Sequence, residues 1–197
     1  MTHRPRTPQR AERIRQVLSR RQKDLTLVIN NIHDPHNVSA ILRSCDAFGI
    51  SAVHLLYTSN TFPALGKKSS ASAKKWVEQI RHHDAQGLVH ALKKSGLNLV
   101  RTGFSHTAVP LFEWDFSRPT AVILGNEHSG IEENLIKFVD QELYIPMQGM
   151  VQSLNVSVAA AIILYEAFSQ RQKAGLYDNP SLEPAELDEL FDNWIQK

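Results

Sequence analysis

The apolar positions alternate between compact runs and helical stripes along most of the chain. Residues 1–8 carry two prolines and no apolar repeat, which predicts a disordered start. Ile14, Val17 and Leu18 then recur at helical spacing, predicting a helix over 9–21. The run LTLVIN (25–30) reads as a buried strand. Pro35 disfavours helix at Asp34, so the next helix is placed just beyond it, over 37–48, with Val38, Ile41, Leu42, Cys45 and Phe48 on one face and Gly49 as its stop. AVHLLY (52–57) is a second strand, and the three elements make a strand–helix–strand unit with a parallel sheet. Residues 58–75, with Gly66, Lys67 and Lys68, read as a mobile basic loop leading to a short element near Trp76. Beyond it the pattern predicts a helix over 84–95, a strand over 97–102, an irregular stretch over 103–119 with Pro110 and Pro119, and a strand over 120–125. A helix over 131–139, a strand over 142–146, a Gly-containing polar loop and a long helix over 155–173 complete the series. Strand and helix alternate throughout, which is the signature of an α/β fold with a mostly parallel sheet flanked by helices.

The last of these helices departs from the rule. VSVAAAIILYEAF is apolar around most of its circumference, so it should be covered on several sides, one of them a subunit interface, with a central core helix of a monomer as the other reading. Composition narrows the setting. The 197 residues suffice for one domain with terminal helices, and the single cysteine, Cys45, permits neither an internal disulfide nor a cysteine-based zinc site. The basic start is followed by no apolar segment of the secretory kind, and no apolar run approaches the ~20 residues that cross a bilayer. A reducing cytoplasm is the expected compartment, with no membrane and no metal.

Net charge is only +2, but it is unevenly placed. Arg4, Arg6, Arg10, Arg13, Arg15, Arg20, Arg21 and Lys23 crowd the start against Glu12, and Asp178, Glu183, Glu186, Asp188, Glu189 and Asp192 crowd the end against Lys197. A basic arm of that density suits a polyanion, and a solvated helix would explain it equally well.

Three segments could carry chemistry. In the first, Arg43 lies off the apolar stripe of its helix beside the small residues Ser39, Ala40 and Ala47, and Asn37 stands at the helix start, where it could cap the helix or turn its amide to a ligand. The second is GNEHSG (125–130), a loop at a strand's carboxyl end, where α/β folds bind ligands; Glu127 in it is a helix-start acid or a catalytic carboxylate. The third is IPMQGMVQSLN (145–155), whose Ser153 and Asn155 are candidate caps for the final helix. There is no Gly-x-Ser-x-Gly elbow, no HExxH spacing and no phosphate loop, so hydrolase, zinc-protease and dinucleotide readings find no support.

Taken together, NIHDPHNVSAILRSCDAFG, ILGNEHSGI and IPMQGMVQSLNVSVAAAIILYEA resemble the three motifs of the SpoU/TrmH branch of the SPOUT RNA methyltransferases, in the right order and over about residues 10–175. The resemblance implies an α/β domain with a C-terminal deep trefoil knot, S-adenosylmethionine as methyl donor, and a homodimer with its active site near the subunit interface. Matched by motif, the expected catalytic residues are Asn37, Arg43, Glu127, Ser153 and Asn155. The expected donor contacts come from Thr102, Gly103, Leu124, Gly125, Ile145, Met147 and Leu154, the first two placed by their position after a strand. Within the branch the chain is most similar to the enzymes that methylate the 2'-hydroxyl of guanosine 18 in the tRNA D-loop. The expected layout is a basic RNA-binding arm (1–23), a methyltransferase domain (24–174) and an acidic tail (175–197). PALGKKSSASAKKWVEQ matches only loosely and the tail is short, so ribosomal RNA, the tRNA wobble ribose and a non-catalytic RNA-binding role stay open as alternatives.

Overall fold

A computed structural model describes residues 7–59, 61–65, 73–126 and 129–197. Helix α1 spans Pro8–Leu18, with Pro8 at its first turn and the Thr7 hydroxyl accepting from the Arg10 N–H. Strand β1 (Leu25–Asn30) is buried at every position, as its unbroken apolar run requires. Helix α2 (Pro35–Ala47) starts two residues earlier than the pattern placed it, because proline is accommodated in a first turn that needs no N–H from it. Strands β2 (Ala52–Leu56) and β3 (Glu78–His82), helix α3 (Ala85–Lys94) and strand β4 (Asn98–Thr102) follow. Then come β5 (Val109–Pro110), β6 (Thr120–Leu124), α4 (Glu133–Ile136), β7 (Glu142–Tyr144), α5 (Val156–Lys173) and α6 (Pro184–Trp194).

The strands form one sheet in the order β3-β2-β1-β6-β4-β7-β5. Every described pairing between them is parallel. The chain lays strands outward from β1 to β3, then crosses to the other side of β1. One face packs on α2 and α5 through Leu27, Ile29, Ile41, Leu42, Val122, Ile163 and Leu164; the other packs on α3 and α4 through Val28, Leu56, Leu88, Leu92, Ile123 and Leu135. Burying an aliphatic side chain of this size contributes about 1.5–3 kcal/mol.

Several expectations change. Residues 78–82 form an edge strand, although EQIRH has no apolar run to announce it. The helix expected over 131–139 is one regular turn, because the amides of Phe138 and Val139 fold back three residues, to Leu135 and Ile136. Within 103–119, Val109 and Pro110 add a short strand beside Leu143 and Tyr144. Residues 184–194 are helical and pack on α1 through Trp194, Ile14 and Leu18. Two of the cations counted in the basic arm are structural. Arg21 is fully buried, donates to the Ile50 carbonyl at 2.6 Å and pairs with Asp46, while Arg10 reaches the Trp194 carbonyl. Arg13, Arg15, Arg20 and Lys23 remain exposed.

A buried Arg171 ties the last third of the chain to the first. Its guanidinium donates to Gln22 Oε1 at 2.8 Å, to Asp24 Oδ1 at 2.6 Å and to the Phe116 carbonyl at 2.9 Å.

Candidate active site

The carboxyl ends of β4, β6 and β7 lie beside the point where the sheet order reverses, the place where open α/β sheets bind ligands. A cavity of about 430 Å³ opens there, within the size range of small-molecule sites. Its walls come from three stretches: Thr102–Phe104 after β4, Leu124–Asn126 with Gly130 and Ile131 after β6, and the chain from Leu143 through Met147 and Ser153 into the first turn of α5. Thr102, Gly103, Leu124, Gly125, Ile145, Met147 and Leu154 all line it, as do Ser153 and Asn155.

Two glycines are there because backbone or carboxylate occupies the space a side chain would need. A Cβ on Gly125 would lie 2.5 Å from the Gly130 carbonyl carbon and 2.6 Å from the Ile131 nitrogen, so Gly130 and Ile131 ride directly on the end of β6. A Cβ on Gly103 would lie 2.1 Å from Glu142 Oε1. Glu142 is buried in β7, pairs with Arg101 and accepts from the Ser105 amide at 2.8 Å, and so it fixes the 103–105 rim. Asn126 and Gly130 exchange both backbone hydrogen bonds at 2.9 Å and close the second loop. Glu127 lies outside the described residues.

Among the described residues no charged side chain lines the cavity. Such a wall offers apolar contact, exposed backbone and a few neutral polar groups, with no cation to balance a phosphate. It suits a compact ligand held by apolar contact and backbone hydrogen bonds, such as an adenosine group.

The first motif is placed differently from the other two. Asn37 sits in the first turn of α2, where Asp34 is the cap and accepts from the His36 amide. The buried carboxamide of Asn37 instead accepts from Asn155 Nδ2 at 3.0 Å, joining the starts of α2 and α5. Asn155 is the true cap, accepting from the Ser157 amide at 2.9 Å. Ser153 makes no cap bond and faces the cavity. Arg43 is exposed on α2, does not line the cavity of its own chain, and enters no ion pair among the described residues. Cys45 is fully buried, and burial pushes its thiol far above the ordinary value, so it is no nucleophile.

Sequence reading passed over Phe104 and Tyr144, both at the cavity wall, with Phe104 66% exposed. It also passed over Asn126, Gly130 and Ile131 as wall residues; their position next to Gly125 in GNEHSGI was the available signal.

Known proteins match this architecture closely. Residues 24–165 match the SpoU rRNA Methylase family. The chain is 44% identical over 194 residues to a tRNA (guanosine(18)-2'-O)-methyltransferase of Thermus thermophilus, covering 98% of this chain and 100% of that one. It is 43% identical to the protein of the same name from Escherichia coli K12, covering 93% and 81%. Among solved structures, the TrmH/SpoU tRNA modifying enzyme of Aquifex aeolicus superposes with a TM-score of 0.88 at 36% identity, over 95% of each chain. The SpoU methyltransferase AviRb of Streptomyces viridochromogenes, solved in complex with the cofactor AdoMet, gives 0.66 at 28% identity over 77% of this chain and 62% of that one. With a family match over residues 24–165 and 44% identity across the whole length of the Thermus relative, this chain is a member of the SpoU methylase family.

Proposed function

We propose that the protein transfers the methyl group of S-adenosylmethionine to the ribose 2'-hydroxyl of guanosine 18 in tRNA. One observation carries the reading: the second and third motif loops and the end of β4 converge on one cavity, which no charged side chain lines among the described residues. The names of near full-length relatives then point to the nucleotide.

The donor supplies an electrophilic methyl on a sulfonium. What the protein must supply is alignment, exclusion of water and help with the hydroxyl proton. The rims at Gly103 and Gly125 and the segment 145–154 hold the donor, mainly by backbone. Asn155 and Asn37 brace each other and set the mouth of the cavity. The exposed guanidinium of Arg43 offers a planar fork for the phosphate beside the target ribose and polarises the hydroxyl. Acting as the base itself would require a neutral guanidine, which is costly to reach. Ser153 lines the cavity and offers a second hydroxyl contact.

The same reading includes a homodimer. Val158, Ile162 and Tyr165 are 46%, 37% and 61% exposed at four- and three-residue spacing along one face of α5. A two-fold pairing over that stripe covers it and accounts for a helix apolar on all sides. It also provides a way for Arg43 of one protomer to serve a cavity it does not line in its own chain.

A trefoil knot belongs to the proposal too. The 103–108 connection leaves the sheet at Thr102 and rejoins it at Val109, on opposite sides of Leu143, so the chain beyond Tyr144 has to pass its span on the way to α5. Arg13, Arg15, Arg20 and Lys23 form the exposed part of an arm that grips RNA backbone, with a steep salt dependence. A tRNA substrate places the work in the cytoplasm.

The test is direct. Purified protein is incubated with methyl-labelled donor and unmodified tRNA transcripts, and the labelled nucleotide is mapped. Label on the 2'-oxygen of guanosine 18 is expected. Label on the wobble ribose or on ribosomal RNA instead would move the substrate assignment, and no label on any RNA would leave an RNA-binding protein without catalysis.

A further inference from the structure

Among the described residues one non-glycine residue, Asn31, has a positive φ, at 50°. It follows directly on β1 and is buried. For a residue other than glycine the left-handed region is uncommon, and asparagine enters it at the least expense. Such a conformation persists where its surroundings hold it in place.

What holds it is a polar knot at the carboxyl ends of three strands. The Asn31 amide donates to the Leu56 carbonyl at 3.0 Å, continuing the pairing with β2. Its carbonyl accepts from Asn126 Nδ2 at 2.9 Å, at the start of the loop after β6. Its side-chain Oδ1 accepts from the Thr58 amide at 3.1 Å, and its Nδ2 donates to Thr58 Oγ1 at 3.2 Å and to Glu132 Oε2 at 3.4 Å. The preceding residue completes the hold, with Asn30 Oδ1 accepting from the Glu132 amide at 2.9 Å. The loop that begins at Asn126 and ends at Glu132 is thus tied at both ends to Asn30, the last residue of β1, and Asn31 just beyond it. The same loop gives the cavity its Asn126, Gly130 and Ile131 wall, and Glu127 belongs to its sequence.

We propose that Asn31 is a positioning residue for methyl transfer, holding Asn126 and residues 129–132 where they receive the methyl donor. This rests on the reading of the cavity as the donor site. Asn31 does not line the cavity; its backbone carbonyl holds Asn126, and its side chain acts on Glu132 directly and through Thr58. Simple strand termination would be served as well by glycine, which takes a positive φ freely and carries no carboxamide. The carboxamide here bridges the Thr58 turn after β2 to Glu132 at the end of the loop instead.

Asn31→Gly separates the two roles, because the backbone conformation survives and only the side-chain ties are lost. Donor affinity measured calorimetrically should fall about tenfold and kcat by at least as much, since a displacement near 1 Å at a reacting site costs up to about a hundredfold. Binding of tRNA alone should be unchanged. A second pair guards against a variant that folds poorly. Asn31→Asp sets a carboxylate against Glu132 and should weaken the donor similarly, and adding Glu132→Gln, which returns a donor to the contact, should restore most of the loss. Asn31→Gly with donor affinity and kcat within twofold of wild type would overturn the proposal, as would a folded double variant that shows no rescue. The calorimetric arm needs no turnover, so it stands even if the wild type labels no tRNA; wild-type protein that binds no methyl donor would instead sink the reading of the cavity.

Discussion

Gly103→Ala tests the site through a collision the structure specifies. The added Cβ would lie 2.1 Å from Glu142 Oε1 and 2.4 Å from its carboxyl carbon. An ordinary van der Waals separation is about 3.5 Å, so more than 1 Å must be found. Glu142 cannot yield cheaply: it is buried, paired with Arg101, and accepts the Ser105 amide. Charge-assisted hydrogen bonds contribute about 1.5–3 kcal/mol each, and breaking one to swing the carboxylate aside costs that much. The alternative is for the 103–105 rim to withdraw, and the donor must then pull it back against the same energy. Either route puts about 2–3 kcal/mol on donor binding, a weakening of about 30-fold to 150-fold. Isothermal titration with the methyl donor reads it, and thermal melting in parallel checks the fold. Glu142→Ala alone should also weaken binding, but the two changes together should cost far less than their sum, because the collision exists only when both groups are present. A Gly103→Ala protein that binds donor within twofold of wild type, or strictly additive losses, would refute the reasoning.

Other consequences are as open to measurement. Arg43→Ala and Arg43→Lys should each lower kcat by about a hundredfold or more with donor affinity intact, because Arg43 does not line the cavity; near-normal turnover in either variant removes it from the mechanism. Arg171→Met leaves Asp24 and the Phe116 carbonyl without their buried partner and should destabilise by about 3–5 kcal/mol, lowering Tm by about 10 °C; a change under about 3 °C would show that the tie carries little. His54 Nδ1 and His82 Nε2 lie 2.8 Å apart, and burial followed by the neighbouring His82 ring lowers His54 from 6.5 to about 4. His82 is lowered as well, by burial and by His83 against the opposing pull of Asp84. A histidine depressed on folding is neutral in the native state, so stability is full above pH 6.5 and declines as pH falls from there toward 4. Tm profiles between pH 7 and 4.5 should show that decline, and His54→Gln should flatten it; parallel profiles would count against the pair.

The core elements were legible because their residues are uniform in character. LTLVIN is buried at every position and could be little else but an interior strand. The stripe of α2 announced a packed face, and the apolar ring of α5 a helix with its inner side in the core, while Val158, Ile162 and Tyr165 on it stay exposed in the single chain. β3 was illegible because an edge strand needs only one good neighbour, and EQIRH meets β2 through its backbone. α6 was illegible because acidic residues dominate PAELDELFDNW, and its apolar contacts, Leu187, Leu190, Phe191 and Trp194, have meaning only against α1. The cavity residues were legible as motif loops, although their convergence was not, since it depends on β7 entering between β4 and β5. The reverse error concerns Arg21 and Arg10: a charge count cannot see which cations are spent inside the molecule.

That insertion of β7 between two strands made earlier in the chain bears on biosynthesis. The third wall of the cavity, from Leu143 into the first turn of α5, is the last to be translated. A nascent chain still tethered to the ribosome before that point holds two walls and no enclosure, so the ligand cannot template its early folding. Donor binding therefore waits until the first turn of α5 has been made, and a truncated translation product ending ahead of α5 would be inert toward the donor rather than weakly active.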